Sequence, residues 1–207
     1  MDSLQELNRE IQSCKRCDLF FSRKRAVCGT GETNPQIMVI GEAPGAREDE
    51  TGIPFVGRSG KLLRTVMEIA ELNIDSVYIS NAVRCRPKIG KTPRISEIRK
   101  CSNFLRAEIN ILRPQILIPM GNSPLKSLRS VLGIDFGPIS EVEGSIFAIG
   151  NTFIAPQFHP AAILRNPKRY ERFKDNFLRL RNFVDDIGRM DLTEIEKNYR
   201  IRHINGA

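Results

Sequence analysis

Three short apolar runs constrain the fold of this 207-residue chain more than any other feature. Residues 36–41 (QIMVIG), 77–81 (VYISN) and 115–120 (QILIPM) are rich in β-branched side chains and deliver polar or glycine residues at their C-terminal ends. Short continuous runs of this kind read as strands buried on both faces, as in a parallel sheet. Residues 145–149 and 152–155, split by Gly150-Asn151, read as a hairpin or a strand pair.

Helical patterns fill the gaps. Ser59 is placed to cap a helix whose Leu62, Leu63, Val66, Met67, Ile69 and Ala70 form one stripe, ending near Asn73. A second helix is predicted from Pro93 or Ser96 to Leu112, with Ile98, Cys101, Leu105, Ile109 and Leu112 on one face and Pro114 beyond its end. Asn166-Pro167 opens a third, in which Tyr170, Phe173, Phe177, Leu180, Val184 and Ile187 recur at helical spacing before Gly188. Those aromatics read as core.

Strand, helix, strand, helix, strand in this order implies an α/β fold with helices on both faces of a parallel sheet. Ligands of such sheets bind beyond the C-terminal strand ends. The rule selects Gly41-Glu42, Asn81 and the segment after Ala155. The length suits one domain, expected over residues 1–187, followed by a tail at 188–207 that reads as a short extra helix, a partner peptide or a frayed end. No apolar run approaches the ~20 residues of a membrane span, and the N-terminus lacks the apolar core of a signal peptide, so an intracellular protein that avoids membranes is expected.

A net charge of +8 favours a polyanionic partner or a basic solvated surface. Its distribution is uneven. Residues 84–100 carry seven basic side chains against one acid, and residues 165–181 carry seven against two.

Four of the five cysteines form a spaced set: Cys14 and Cys17 as C-x2-C, then Cys85, then Cys101, with Cys28 left over as a small core or turn residue. A thioredoxin-like pair needs a strand before its C-x-x-C, and none precedes Cys14. Zinc sites favour two tight pairs, which Cys85 and Cys101 do not make. A cubane iron–sulfur cluster needs only four thiolates converging in space, so the spacing favours it over zinc. Buried apolar cysteines are the plain alternative, and Cys101 does lie on the apolar face of its helix.

The segment GEAPGAREDETGIPFVGRSG, residues 41–60, follows the first strand. Gly41 and Gly45 permit close approach of a ligand and Pro44 fixes a turn. The loop bears carboxylates where a phosphate loop would bear amides and cations, so it suits a neutral polar ligand or an activated water. Glu42 and Glu48 are the candidates, while Asp49 and Glu50 read as solvated acids. Phe55 reads as a core anchor or a stacking platform, Asn81 as a turn former or an edge-reading amide. His159 stands after a strand beside Pro160, and His203 falls in the polar tail.

GEAPGAREDETGIPFVGRSGKLL, SNAVRCRP, HPAAILR and the four spaced cysteines together resemble the family 4 uracil-DNA glycosylases, iron–sulfur enzymes of bacteria and archaea, from about Cys14 to Val184. The resemblance implies a three-layer α/β/α fold on a four-stranded parallel sheet and hydrolysis of the N-glycosidic bond of uracil in double- or single-stranded DNA. It implies a structural 4Fe-4S cluster on Cys14, Cys17, Cys85 and Cys101. Glu42 would position or activate the water, Glu48 would block the thymine methyl, Phe55 would stack on uracil, Asn81 would read its edge, and His159 would sit at O2. Ile163, Leu164 and Arg165 would fall in a loop that enters the duplex, and Lys88, Lys91 and Arg94 would meet DNA phosphate. Ala43 stands where the family 1 enzymes carry an aspartate, which leaves water activation to Glu42 or elsewhere. A cytoplasmic, nucleoid-associated monomer is expected, with the tail available to a repair or replication partner. Two rivals share the basic segments and cysteines: a non-catalytic nucleic-acid-binding module with a structural metal, and an iron–sulfur electron carrier. The module leaves Glu42, Asn81 and His159 without a role, and the carrier lacks a flavin or nicotinamide fingerprint.

Overall fold

The apolar runs become strands within a residue or two of the expected bounds. A computed structural model describes residues 3–88 and 90–204. In chain order its elements are α1 (Leu4–Ser13), α2 (Leu19–Ser22), β1 (Thr30–Gly31), β2 (Ile37–Gly41), α3 (Ala46–Thr51), α4 (Arg58–Ile69), β3 (Tyr78–Asn81), α5 (Ile95–Leu112), β4 (Ile116–Pro119) and α6 (Asn122–Leu132). They continue with α7 (Ile139–Val142), β5 (Phe147–Ile149), β6 (Thr152–Ile154), α8 (Pro160–Arg165), α9 (Tyr170–Ile187), α10 (Leu192–Tyr199) and β7 (Arg202–His203).

The sheet order is β1-β3-β2-β4-β6-β5-β7. Its centre, β3-β2-β4-β6, is four parallel strands, as expected. Three short strands extend it: β1 and β5 run antiparallel to their neighbours, and β7 joins β5 in parallel. Successive residues of β2 face opposite sides, so Val39 packs with Leu63 and Met67 of α4 and Phe173 and Phe177 of α9, while Met38 and Ile40 pack with Leu105 of α5 and Leu125 and Leu128 of α6. A third apolar cluster joins Leu7 and Ile11 of α1 to Val83, Ile98, Phe104 and the cysteines.

Several elements depart from expectation. Helix α4 starts one residue before Ser59, with Gly57 as its N-cap and no side-chain capping bond. Helices α1, α2, α3, α6, α7 and α8 have no counterpart among the expected helices. The tail, as far as residue 204, folds onto the domain: Ile195 and Tyr199 are buried, the Tyr199 ring meets Phe183 edge-on, and its hydroxyl donates to Asp186 Oδ2 at 2.6 Å. Residues 205–207 lie outside the described residues.

One buried ion pair links α5 to the sheet. Arg84, 1% exposed and just past β3, meets the fully buried Glu108 at 2.6 Å. Glu108 also accepts from Ser80 Oγ at 2.8 Å and Tyr78 Oη at 3.3 Å, which compensates part of the desolvation cost of its charge.

Candidate active site and cysteine cavity

Gly41, Glu42, Glu48, Phe55, Asn81 and His159 come from three separate segments and converge beyond the strand ends: Glu42, Gly45, Glu48, Phe55, Asn81 and His159 line one cleft, and Gly41 underlies it. Backbone pairing carries past both strands, with Ala82 N donating to Gly41 O at 2.8 Å and Val83 N to Glu42 O at 3.2 Å. The frame under the cleft is therefore rigid. A Cβ at position 41 would lie 2.6 Å from the Phe55 ring and closer still to Asn81 Oδ1, so only glycine lets these two side chains meet there. Asn81 is 3% exposed.

Phe55 sits in the left-handed region at φ 54°, a strained choice for an aromatic residue. Its position is enforced from below, because Gly60 leaves no room for a Cβ against the Phe55 carbonyl. The ring lies 5.9 Å from the His159 ring, centroid to centroid, at 36°.

The two candidate carboxylates are each fixed by the protein. Glu48 Oε1 accepts from Gly57 N at 2.8 Å, and its other oxygen lies where a Cβ at Gly45 would be, 2.6 Å away. Glu42 Oε2 accepts from Ser123 Oγ at 2.7 Å. Asp49 differs from the solvated acid expected of it: it is 2% exposed and accepts from the backbone amides of Lys24 at 2.9 Å and Arg25 at 3.4 Å. It ties the acidic loop to the segment that follows α2. Glu50 is exposed and pairs with Lys24 Nζ at 3.1 Å.

His159 caps the short helix α8, its Nδ1 accepting from Ala161 N at 3.1 Å. An accepting Nδ1 carries no proton, so the neutral ring holds its proton on Nε2. Burial, with Arg165 nearby as a lesser cause, pushes the imidazole down to about 4. The ring is neutral at pH 7 and available as a hydrogen-bond donor.

Lys88, Lys91, Leu164 and Arg165 line the same cleft, as do Arg47, Arg58, Lys61 and Arg86, which the sequence reading did not single out. Two expected DNA contacts stand outside the cleft's lining. Ile163 is 2% exposed and belongs to the core, since α8 is a helix and turns that side chain inward; Leu164, 46% exposed, faces out. Arg94 bridges Asp18 at 2.6 Å and Glu97 at 2.7 Å and is not among the cleft's lining residues. The second basic segment is also engaged largely within the protein: Arg172 pairs with Glu143, Lys174 with Glu171 and Arg181 with Asp185, while Arg179 donates to the Tyr199 carbonyl.

Cys14, Cys17, Cys85 and Cys101 line one small pocket, together with Arg16, Arg23, Arg84, Lys100, Phe20 and Phe104. All four are unbridged, and among the described residues no three His, Cys, Asp or Glu side chains close round a single ion. Arg23 Nη1 donates to Cys85 Sγ at 3.0 Å and the Arg84 amide to Cys101 Sγ at 3.3 Å. Burial pushes the Cys101 thiol up to about 12 and raises Cys85 as well, against the pull of Arg84 and Arg23. Cys28 stands apart, its thiol directed at the Asn8 carbonyl at 3.7 Å.

Residues 28–182 match the model of the uracil DNA glycosylase superfamily. The chain is 39% identical over 189 residues to a type-4 uracil-DNA glycosylase of Sulfurisphaera tokodaii, covering 89% of this chain and 86% of that protein. It is 33% identical over 184 residues to one of Archaeoglobus fulgidus, with 87% and 92% covered, and 37% identical over 186 residues to one of Saccharolobus solfataricus, with 87% and 86% covered.

Proposed function

The chain belongs to the uracil DNA glycosylase superfamily, in its type-4 branch, and from that premise we propose how this cleft removes uracil from DNA. The reaction is hydrolysis of the bond between C1′ and the base, releasing free uracil and leaving an abasic site in DNA under repair. The observation that carries the reading is the convergence of Asn81, Phe55, His159, Glu42 and Glu48 on one cleft at the C-terminal ends of β2 and β3.

A base inside a duplex is out of reach, so the nucleotide must be extruded at a cost of a few kcal/mol. In this reading Lys88, Lys91 and Arg165 hold phosphates, as do Arg58 and Lys61 of the same cleft, and exposed Leu164 fills the vacated stack. Phe55 stacks on the extruded base. The Asn81 amide donates to uracil O4 and accepts from N3–H; cytosine presents the reverse pattern there and is refused. Glu48, immobilised by the Gly57 amide, occupies the place of the thymine methyl.

As the C1′–N1 bond breaks, its electron pair passes to the base and positive charge develops on the sugar. The Nε2 proton of neutral His159 supports the negative charge at O2 by a hydrogen bond. Glu42 orients the water that adds to C1′ and its charge steadies the sugar cation.

The four cysteines suit a 4Fe-4S cluster by their chemistry: the donors are four thiols lining one pocket, no three of which close round a single ion, and the charge of their thiolates would face Arg16, Arg23, Arg84 and Lys100. When bound, such a group would staple the N-terminal segment to the chain that follows β3. The hydrolysis itself needs no electron transfer.

A cytoplasmic monomer acting at the chromosome agrees with this reading, and among the described residues no helix is long and apolar enough to cross a membrane. A partner using the C-terminal segment would meet α10 and β7 docked on the sheet. The test of the function is release of free uracil from a single-uracil duplex. Wild type should release it and leave thymine in place, and Asn81→Ala should lose at least about tenfold of its rate on uracil. A protein that binds the duplex without releasing base would support the binding-module alternative.

A further inference from the structure

The turn between β4 and α6 touches both groups assigned to the chemistry. Met120 N donates to Ile40 O at 2.8 Å, Gly121 N donates to Gln157 O at 2.8 Å, and Gln157 N donates to Pro119 O at 3.0 Å. The turn is thus stitched to the end of β2 on one side and to the approach to His159 on the other. Gly121 lies in the left-handed region at φ 95°, and a Cβ there would sit 3.6 Å from the His159 Cβ. Two residues later, Ser123 sends its hydroxyl to Glu42 Oε2 at 2.7 Å.

Ser123 is 6% exposed and does not line the cleft. It lies in the first turn of an 11-residue helix whose cap offers no side-chain bond, so backbone amides there also favour a carboxylate. Among the described residues no hydrogen bond reaches the other oxygen of Glu42, Oε1. One carboxylate oxygen is committed and one is left for solvent.

We propose that Ser123 is the positioning residue for Glu42, fixing Oε2 so that Oε1 holds the attacking water at a set distance from His159. The inference rests on the assignment of Glu42 to the water. A carboxylate on a loop samples several staggered χ rotamers unless something selects one. A hydroxyl that is itself buried and carried on a helix selects it without touching the substrate, so its loss acts on the rate of the chemical step and leaves substrate affinity alone.

The test compares uracil release by wild type, Ser123→Ala, Ser123→Thr, Glu42→Gln and the double variant Ser123→Ala/Glu42→Gln, with melting curves for each. The inference predicts that Ser123→Ala loses roughly tenfold to a hundredfold in kcat at unchanged KM and near-native melting. Ser123→Thr, which keeps the hydroxyl, should recover most of that loss. On the Glu42→Gln background the serine should no longer matter. A Ser123→Ala protein with wild-type kcat, or one whose loss persists undiminished in the double variant, would overturn the positioning role while leaving Glu42 in place. Full activity of Glu42→Gln would instead remove Glu42 from the water, and this inference with it.

Discussion

The cleft and the cysteine cavity are fed by the same stretch of chain, with Asn81 at the one and Cys85 at the other, yet they are finished in different ways. In the cleft three candidate groups already have a protein partner: Glu42 has Ser123, Glu48 has the Gly57 amide, and His159 has the Ala161 amide. The cavity has four thiols, two of them raised by burial, ringed by cations and joined to each other by nothing in the protein. The difference teaches that the cleft is preorganised by hydrogen bonds, as transition-state stabilisation requires, while the thiols of the cavity are held by packing and by single contacts from Arg23 and Arg84. Arg84 stands between them, buried with Glu108 and lending its amide to Cys101.

The sharpest way to break this contrast is to remove Cys85 and Cys101 together as alanines. Melting temperature and DNA affinity should fall together, by far more than any cleft substitution achieves, and the visible absorbance of a cluster should vanish. A stable, fully active double variant would show that the cavity needs no guest. Next in size is Arg84→Met, which strands the Glu108 carboxylate in the core. It should cost about 3–5 kcal/mol in a denaturant titration, the range for breaking a buried pair on one side.

The cleft should respond in rate and leave stability nearly untouched. His159→Ala is expected to lower kcat by about 10²–10³-fold, the usual effect of losing one preorganised donor to developing negative charge. Its acid behaviour follows from the same burial. The folded imidazole titrates at about 4, below its unfolded value near 6.5, so between those values the unfolded chain binds the extra proton. Stability attributable to this group is intact above about pH 6.5 and declines as pH falls toward 4; melts across pH 4–8 should show that slope flattened in His159→Gln. The smallest effect belongs to the rim. Lys88→Ala and Lys91→Ala should each weaken binding alike on all sequences and reduce the salt slope by about 1.

The parallel centre of the sheet was legible because strands buried on both faces are built mainly of apolar residues, so β2, β3 and β4 announce themselves as short runs rich in β-branched side chains. The ends of β2, β3 and the strand before Ala155 then pointed to Gly41, Glu42, Asn81 and His159, which the fold does bring together. Helix α6 was missed because it opens on Gly121-Asn122-Ser123-Pro124, which reads as a turn, although Leu125 and Leu128 carried a helical spacing before Gly133. With it went Ser123. Asp49 was read as solvated because nothing local shows that a distant backbone comes to meet it. Strand β7 is two exposed residues held by main-chain bonds, which leave no side-chain signature. Arg58 and Lys61 sit on the polar face of α4, where a phosphate-binding cation and a solvated one look alike in sequence.

The most direct test of the cleft as a uracil pocket is single-turnover base release from matched duplexes carrying one uracil or one thymine, by wild type and Glu48→Ala. Wild type should release uracil alone, and the variant should keep uracil release while its discrimination against thymine drops by roughly 10–200-fold, the worth of one methyl in a pocket. A variant that still releases uracil and rejects thymine as strictly as wild type would contradict the assignment of Glu48 and the geometry of the pocket drawn around it.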